Sequence, residues 1–291
     1  PSHFQLLNSN NISTIGDISD ITALKESIRQ FQPEILFHLA AQSLVRESYK
    51  NPLNTYQTNV IGTLNVLESV RECSSIKAVV IITTDKVYEN KEWIYPYREN
   101  DQLGGYDMYS SSKACAEILT KSYQSSYYNL EEYKKKHEVL IATARAGNVI
   151  GGGDTAEDRL IPDLIRGFHA KSKTLIRNPE SIRPWQHVLD PLNGYLTIGG
   201  NLMEGKKISP AYNFGPGEES KLTVQKMATY ACSQWPESLG IEIKVDPTAV
   251  PESGLLWLSS DLATKELGWR NRFEAQEAIG WTIEWEKESM S

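Results

Sequence analysis

The sequence predicts an α/β protein, a doubly wound parallel sheet followed by a smaller α/β domain. Three observations lead there. Apolar runs of strand length alternate with helix-forming stretches, polar clusters stand at the same end of three successive runs, and the Gly and Pro punctuation changes after Gly147.

Glu34-Ile35-Leu36-Phe37-His38-Leu39-Ala40-Ala41 follows Pro33 and reads as a fully buried strand ending in small residues. Between Pro52 and Cys73, Val60, Leu64 and Leu67 recur at helical spacing, with Pro52 where a first turn tolerates it. Ala78-Val79-Val80-Ile81-Ile82 is a second buried strand. Tyr109 to Tyr128 are good helix formers without Pro or Gly, and Leu140 to Ala144 form a third β-like run ending at Arg145. Past Gly147 come the flexible turn Gly151-Gly152-Gly153-Asp154 and the breaks Asn178-Pro179 and Arg183-Pro184, where a second domain is expected. It should hold helices near Leu160 to Ala170 and Thr223 to Gln234, a strand at Tyr212 to Phe214, and an amphipathic end from Phe273 to Glu288.

The chain has 291 residues, 40% hydrophobic and 23% charged, enough for a substantial core and unlike a disordered segment. No apolar run approaches the roughly 20 residues of a membrane helix. Thirty basic against 37 acidic side chains leave a net charge of -7, which opposes general attraction to nucleic acid or anionic membrane. An anionic ligand must then be held by local basic groups. Cys73, Cys115 and Cys232 are an odd number without CxxC spacing, which suits reduced thiols in a cytoplasmic protein. The five histidines show neither HxxxH nor HExxH spacing, so no metal site is expected. The chain starts at Pro1 with no signal-peptide pattern.

Ligands of an open parallel sheet bind beyond the carboxyl ends of its strands. His38 to Ser43, Thr83-Thr84-Asp85-Lys86 and Arg145-Ala146-Gly147-Asn148 are polar clusters at three such ends. Tyr109 and Lys113, four residues apart, share a helix face, and an ammonium beside a phenol stabilises its phenolate. His38 reads as a packed, hydrogen-bonded residue, Lys134 to His137 as a solvated charge run, and Trp281 and Trp285 as packing against the second domain.

His38-Leu39-Ala40-Ala41, Thr58-Asn59-Val60-Ile61-Gly62-Thr63, Tyr109 with Lys113, and Arg145-Ala146-Gly147-Asn148-Val149 together resemble the extended short-chain dehydrogenase/reductase superfamily, with its Rossmann-like sheet. Within it, the segments Thr84 to Trp93, Tyr97-Arg98-Glu99, Gly104 to Asp107, Tyr109 to Cys115, Arg145 to Asp154 and Ile182 to Leu189 are similar to the CDP-glucose 4,6-dehydratases. That resemblance implies dehydration of CDP-glucose to the 4-keto-6-deoxy sugar, with NAD reduced and reoxidised in each turnover. It implies Tyr109 as base for the 4-hydroxyl, Thr84 bonded to that oxygen, Lys113 as the tyrosine's activator, and Asp85 as the acid for the departing 6-hydroxyl. Lys86 stands where related dehydratases carry a glutamate base for C5; it acts either as a neutral base or by stabilising the enolate.

By the same resemblance Asp17, Ile18, Leu39, Ala40, Ala41, Gln42 and Thr58 contact NAD together with Tyr109 and Lys113. Ser43, Thr84, Asn148, Arg159, Leu160, Arg183 and Asn213 contact the nucleotide sugar, two arginines serving its pyrophosphate. Residues 1–150 with about 188–206 would form the NAD-binding domain, and about 151–187 with 207–291 the nucleotide-sugar domain. The family's GxxGxxG turn has no counterpart in the chain, so the first βαβ unit is expected to be missing. Other readings stay open: another nucleotide-sugar 4,6-dehydratase or 4-epimerase, or a truncated, non-catalytic remnant. The resemblance further implies a homodimer or homotetramer, and a place in making dideoxyhexoses for bacterial surface polysaccharides such as the O-antigen of lipopolysaccharide.

Overall fold

The computed structural model describes Leu6, residues 11–244 and residues 254–289. Asp20 caps helix α1 (Ile21–Phe31), accepting from the N–H groups of Thr22 and Ala23, both at 3.0 Å. Strand β1 (Ile35–His38) follows, then the short helices α2 (Val45–Lys50) and α3 (Pro52–Tyr56). One π turn, Gln57–Ile61, carries α3 into α4 (Gly62–Arg71). Next come β2 (Ala78–Ile82), the long α5 (Met108–Ser126) and β3 (Leu140–Ala146). The remainder comprises β4 (Asn148–Ile150), α6 (Leu160–His169), β5 (Thr174–Ile176), β6 (Ile182–His187), α7 (Leu189–Met203), β7 (Ala211–Phe214), β8 (Lys221–Thr223), α8 (Val224–Ser233), β9 (Ile241–Ile243), α9 (Asp261–Leu267) and α10 (Ala275–Glu288).

Strands β1, β2, β3 and β7 form one parallel sheet in the order β1-β2-β3-β7. Its period-two alternation separates two cores. Val79 and Ile81 pack with Val66, Leu67 and Val70 of α4, while Val80, Ala142 and Ala144 pack with Ile198 of α7 and with Trp269. The other strands make a β4-β6-β8 sheet and a β5-β9 pair, packed through Ile165, Trp185, Met227 and Ile279 against α6, α8 and α10.

Two expectations change. The first strand is shorter than Glu34 to Ala41, and Ile35, Leu36 and Phe37 are only half-buried, because among the described strands β1 pairs on one side alone. The strand at Tyr212 to Phe214, expected in the second domain, instead joins the first sheet beside β3, with Arg145 opposite Asn213. The intervening α7 packs on β2 and β3 and returns the chain to that sheet, a crossover that local sequence does not reveal.

Candidate active site

The site grows from the carboxyl end of this sheet. Beyond β2, the Thr83 N–H bonds the Ala144 carbonyl at 2.8 Å, so the chain stays beside β3 until Thr84 and Asp85 turn into a cleft. Thr84 caps a short 3-10 turn over Asp85–Val87, and its hydroxyl donates to Asp85 Oδ1 at 2.9 Å. From the other side comes α5. Asp107 caps it, accepting from Ser110 N–H at 2.9 Å, which fixes Tyr109 in the first turn. A Cβ on Gly105 would overlap the backbone of Ser110 and Ser111, so a glycine is needed where this loop meets the helix. Tyr56 and Asn59 tie the α3 segment to α5 through Ser111 and Ser112, at 2.5 and 2.8 Å.

Thr84, Asp85, Lys86 and Tyr109 line one wall of a cleft of about 760 Å³. Asn148, Arg159, Leu160 and Arg183 line the other wall, and Ser43 meets them at its end. Arg159 is held by Ser43 Oγ at 2.9 Å and Asp154 at 3.0 Å, donating to both. Arg183 is buried, and its charge acts on Asp85.

Burial dominates the electrostatics. Asp85 is raised above the usual carboxylate range by desolvation, opposed by the Lys86 charge, the Thr84 hydroxyl and Arg183. Such a carboxyl is held toward its protonated, donating form. The Tyr109 phenol is pushed up to about 12 by burial, with Thr84 and Arg159 pulling down and Asp85 and Asp107 pushing up. Lys113, expected to lower it, is not among these leading influences. Its buried ammonium donates to the Ile82 carbonyl at 3.0 Å, and desolvation lowers it to about 8 against the Glu117 charge.

The remaining residues divide by position. Leu39 and Ala40 are exposed just beyond buried His38, whose Nε2 lies 3.1 Å from Thr63 Oγ1 as a packed, hydrogen-bonded ring. Ala41 and Gln42 are half-buried, and Gln42 is fixed by Asn59 and Thr55 at 2.8 and 2.9 Å. Thr58 is half-buried in the π turn. Asp17 is exposed and holds Ser19 N–H at 2.8 Å, while Ile18 packs over Gly62. None of these lines the cleft of Tyr109.

Asn213 is a correction. It is fully buried, its amide donates to the Tyr97 carbonyl at 2.9 Å, and its carbonyl accepts from Tyr88 at 2.7 Å. Both ends are used inside the core, so it does not face a substrate. Sequence reasoning missed Arg46 and Arg177, which line the cleft and share Asp158 Oδ1, each at 3.1 Å. Arg46 could have been found as the basic group three residues past Ser43; Arg177 carries no pattern.

The residues present fit the nicotinamide end of a dinucleotide. A phenol and an ammonium one helical turn apart stand at the strand ends, and the exposed Leu39 and Ala40 follow β1.

The family model of GDP-mannose 4,6 dehydratase matches residues 3–282. The chain is 46% identical to a CDP-glucose 4,6-dehydratase of Salmonella typhimurium, over 99% of this chain and 80% of that protein. In fold it is similar to a UDP-glucose 4-epimerase of Thermotoga maritima solved with UDP-glucose, with TM-score 0.84 and 20% identity over 99% of this chain and 88% of that one. A dTDP-glucose 4,6-dehydratase of Bacillus anthracis, solved with NAD, gives TM-score 0.78 and 20% identity over 98% and 83%. Strand ends, Tyr109 with Lys113, and a match along nearly the whole chain agree: the chain belongs to the GDP-mannose 4,6 dehydratase family, the nucleotide-sugar epimerases and dehydratases of the extended short-chain dehydrogenase/reductase superfamily.

Proposed function

We propose that this chain dehydrates CDP-glucose to CDP-4-keto-6-deoxyglucose with bound NAD as transient oxidant. The likeness that carries the choice of reaction and nucleotide is the 46% identity over 99% of the chain. The carboxyl of Asp85 supports dehydration over 4-epimerisation, since only dehydration needs an acid for a departing hydroxyl.

Bound NAD supplies a hydride acceptor that later returns the hydride. Leu39, Ala40, Ala41 and Gln42 after β1, Thr58, and Asp17 with Ile18 would hold it, and Lys113 would hold its nicotinamide ribose. Tyr109 takes the proton of the sugar 4-hydroxyl, with Thr84 bonded to that oxygen. In the ligand-free geometry the phenol is neutral, because burial outweighs the groups that lower it. Positive charge brought to the phenol oxygen turns it into a base, and Lys113, one turn away, is that charge once it leaves the Ile82 carbonyl. A ketone at C4 acidifies the C5 proton, and Asp85 protonates the C6 hydroxyl as it departs. Lys86 is half-buried at the cleft wall and either takes the C5 proton or stabilises the enolate. Ser43, Asn148, Leu160, Arg159 and Arg183 hold the nucleotide diphosphate sugar.

Two copies would pair through α4 and α5; Ile61 and Ile118 are exposed in this region at 45% and 57%. A monomer in light scattering contradicts that pairing. The three cysteines are free thiols, which suits a cytoplasmic setting; among the described residues no helix is long and apolar enough to cross a membrane. Supply of a deoxysugar to surface-polysaccharide synthesis would follow from this product. Incubation with NAD and CDP-, UDP-, dTDP- or GDP-sugars tests the nucleotide. A 4-keto product from CDP-glucose alone is expected; turnover of another nucleotide sugar with CDP-glucose inert overturns the cytidine assignment.

A further inference from the structure

Glu117 stands one helical turn beyond Lys113, which stands one turn beyond Tyr109, so the three share one face of α5. Its carboxylate is fully buried and its partners surround it. Thr83 donates to Oε1 at 2.5 Å and Thr143 to Oε2 at 2.9 Å. Arg145 binds both oxygens in a fork, Nε to Oε1 at 3.0 Å and Nη2 to Oε2 at 2.7 Å. Arg145 goes on to the Tyr88 hydroxyl and the Glu99 carbonyl, at 2.7 and 2.9 Å. One carboxylate thus locks α5 to the residue after β2, which leads directly into Thr84 and Asp85, and to β3.

We propose that Glu117 is a positioning residue: it fixes Tyr109 and Lys113 on α5 against Thr84 and Asp85 beyond β2, with its carboxylate one helical turn from Lys113. This rests on the catalytic reading of those four residues. A buried pair of this kind is not needed for stability as such, since apolar residues of similar volume serve as well. Its value lies in what it holds. The charged and titratable groups around Lys113 are Tyr109 and Glu117 on its own helix, Arg145 of β3 behind Glu117, His38 at the end of β1, and Asp85 facing Tyr109. His38 is lowered to about 4 by burial and by the Lys113 charge, so it is neutral near pH 7. Glu117 is therefore the group that favours the ammonium.

The test follows Lys113 itself in the cofactor-free chain, by NMR of its labelled ε-carbon, with rates of the NAD-loaded enzyme beside it. Glu117→Gln removes the negative charge and leaves Arg145 unpaired; both changes act in the same direction. The Lys113 midpoint is expected to fall by about one unit or more, and the alkaline limb of kcat/KM to move down with it. Glu117→Asp keeps the charge and withdraws it by one methylene. It is expected to restore the midpoint, lower kcat about tenfold and leave KM unchanged. An unmoved midpoint in Glu117→Gln, or wild-type kcat in Glu117→Asp, overturns the proposal; where Glu117→Gln does not fold, Glu117→Asp decides. If the unaltered chain makes no product from any nucleotide sugar while the midpoint still shifts, the catalytic reading has failed and not the coupling.

Discussion

At Tyr109 and Lys113 burial works against charge, and this sets what each residue costs the fold. Lys113 is lowered from 10.5 to about 8, so the folded chain disfavours its ammonium. The sign follows: the cost is complete below pH 8, shrinks as pH rises and is gone above about 10.5. A shift of that size corresponds to ~3 kcal/mol, and loss of the bond to the Ile82 carbonyl offsets about 1 kcal/mol of any gain. Lys113→Met is therefore expected to stabilise the cofactor-free chain by about 2 kcal/mol at pH 7, with the advantage fading toward pH 10, while catalysis is lost. Urea unfolding across that range checks it. At Lys86 the two roles separate by isotope exchange. If it is the C5 base, Lys86→Gln loses exchange of the C5 hydrogen with solvent; exchange at an undiminished rate leaves only the electrostatic role.

Among the elements, β2, β3 and α5 could be read directly from sequence, because a continuous apolar run and a long stretch without Gly or Pro encode themselves locally. The partner of β7 could not, since many residues separate it from β3 and nothing in Tyr212 to Phe214 states which strand it joins. The resemblance puts Asn213 among the substrate contacts, while its pairing opposite Arg145 places it in the core. Glu117 was invisible for a similar reason, as an acid on a helix looks solvated until Thr83, just past β2, and Thr143 and Arg145 of β3 surround it. The two placements predict contrasting variants. Asn213→Ala breaks two buried bonds and is expected to destabilise the chain by about 1–3 kcal/mol with KM unchanged. Arg159→Ala, at the half-exposed cleft wall, is expected to raise KM about tenfold with stability within about 0.5 kcal/mol. Thermal unfolding and steady-state kinetics on both distinguish core from site.

Across the whole molecule, an acidic chain meets an anionic substrate through individual arginines and not through a basic cleft, whose lining also carries Glu47, Asp107, Asp154, Glu157, Asp158 and Asp163. The net charge is -7, yet Arg46, Arg159, Arg177 and Arg183 converge on one cavity with Lys86. Local cations of this kind had been anticipated from the charge balance, and two of the four arginines from the resemblance. In the proposed dehydration hydrogen leaves C4 of the sugar and returns at C6 within one site. CDP-glucose carrying deuterium at C4, turned over by the NAD-loaded chain and read by NMR, tests it most directly. Deuterium at C6 of a 4-keto-6-deoxy product is the expected result; deuterium lost to solvent, or a product that keeps its C6 hydroxyl, rules out this transfer.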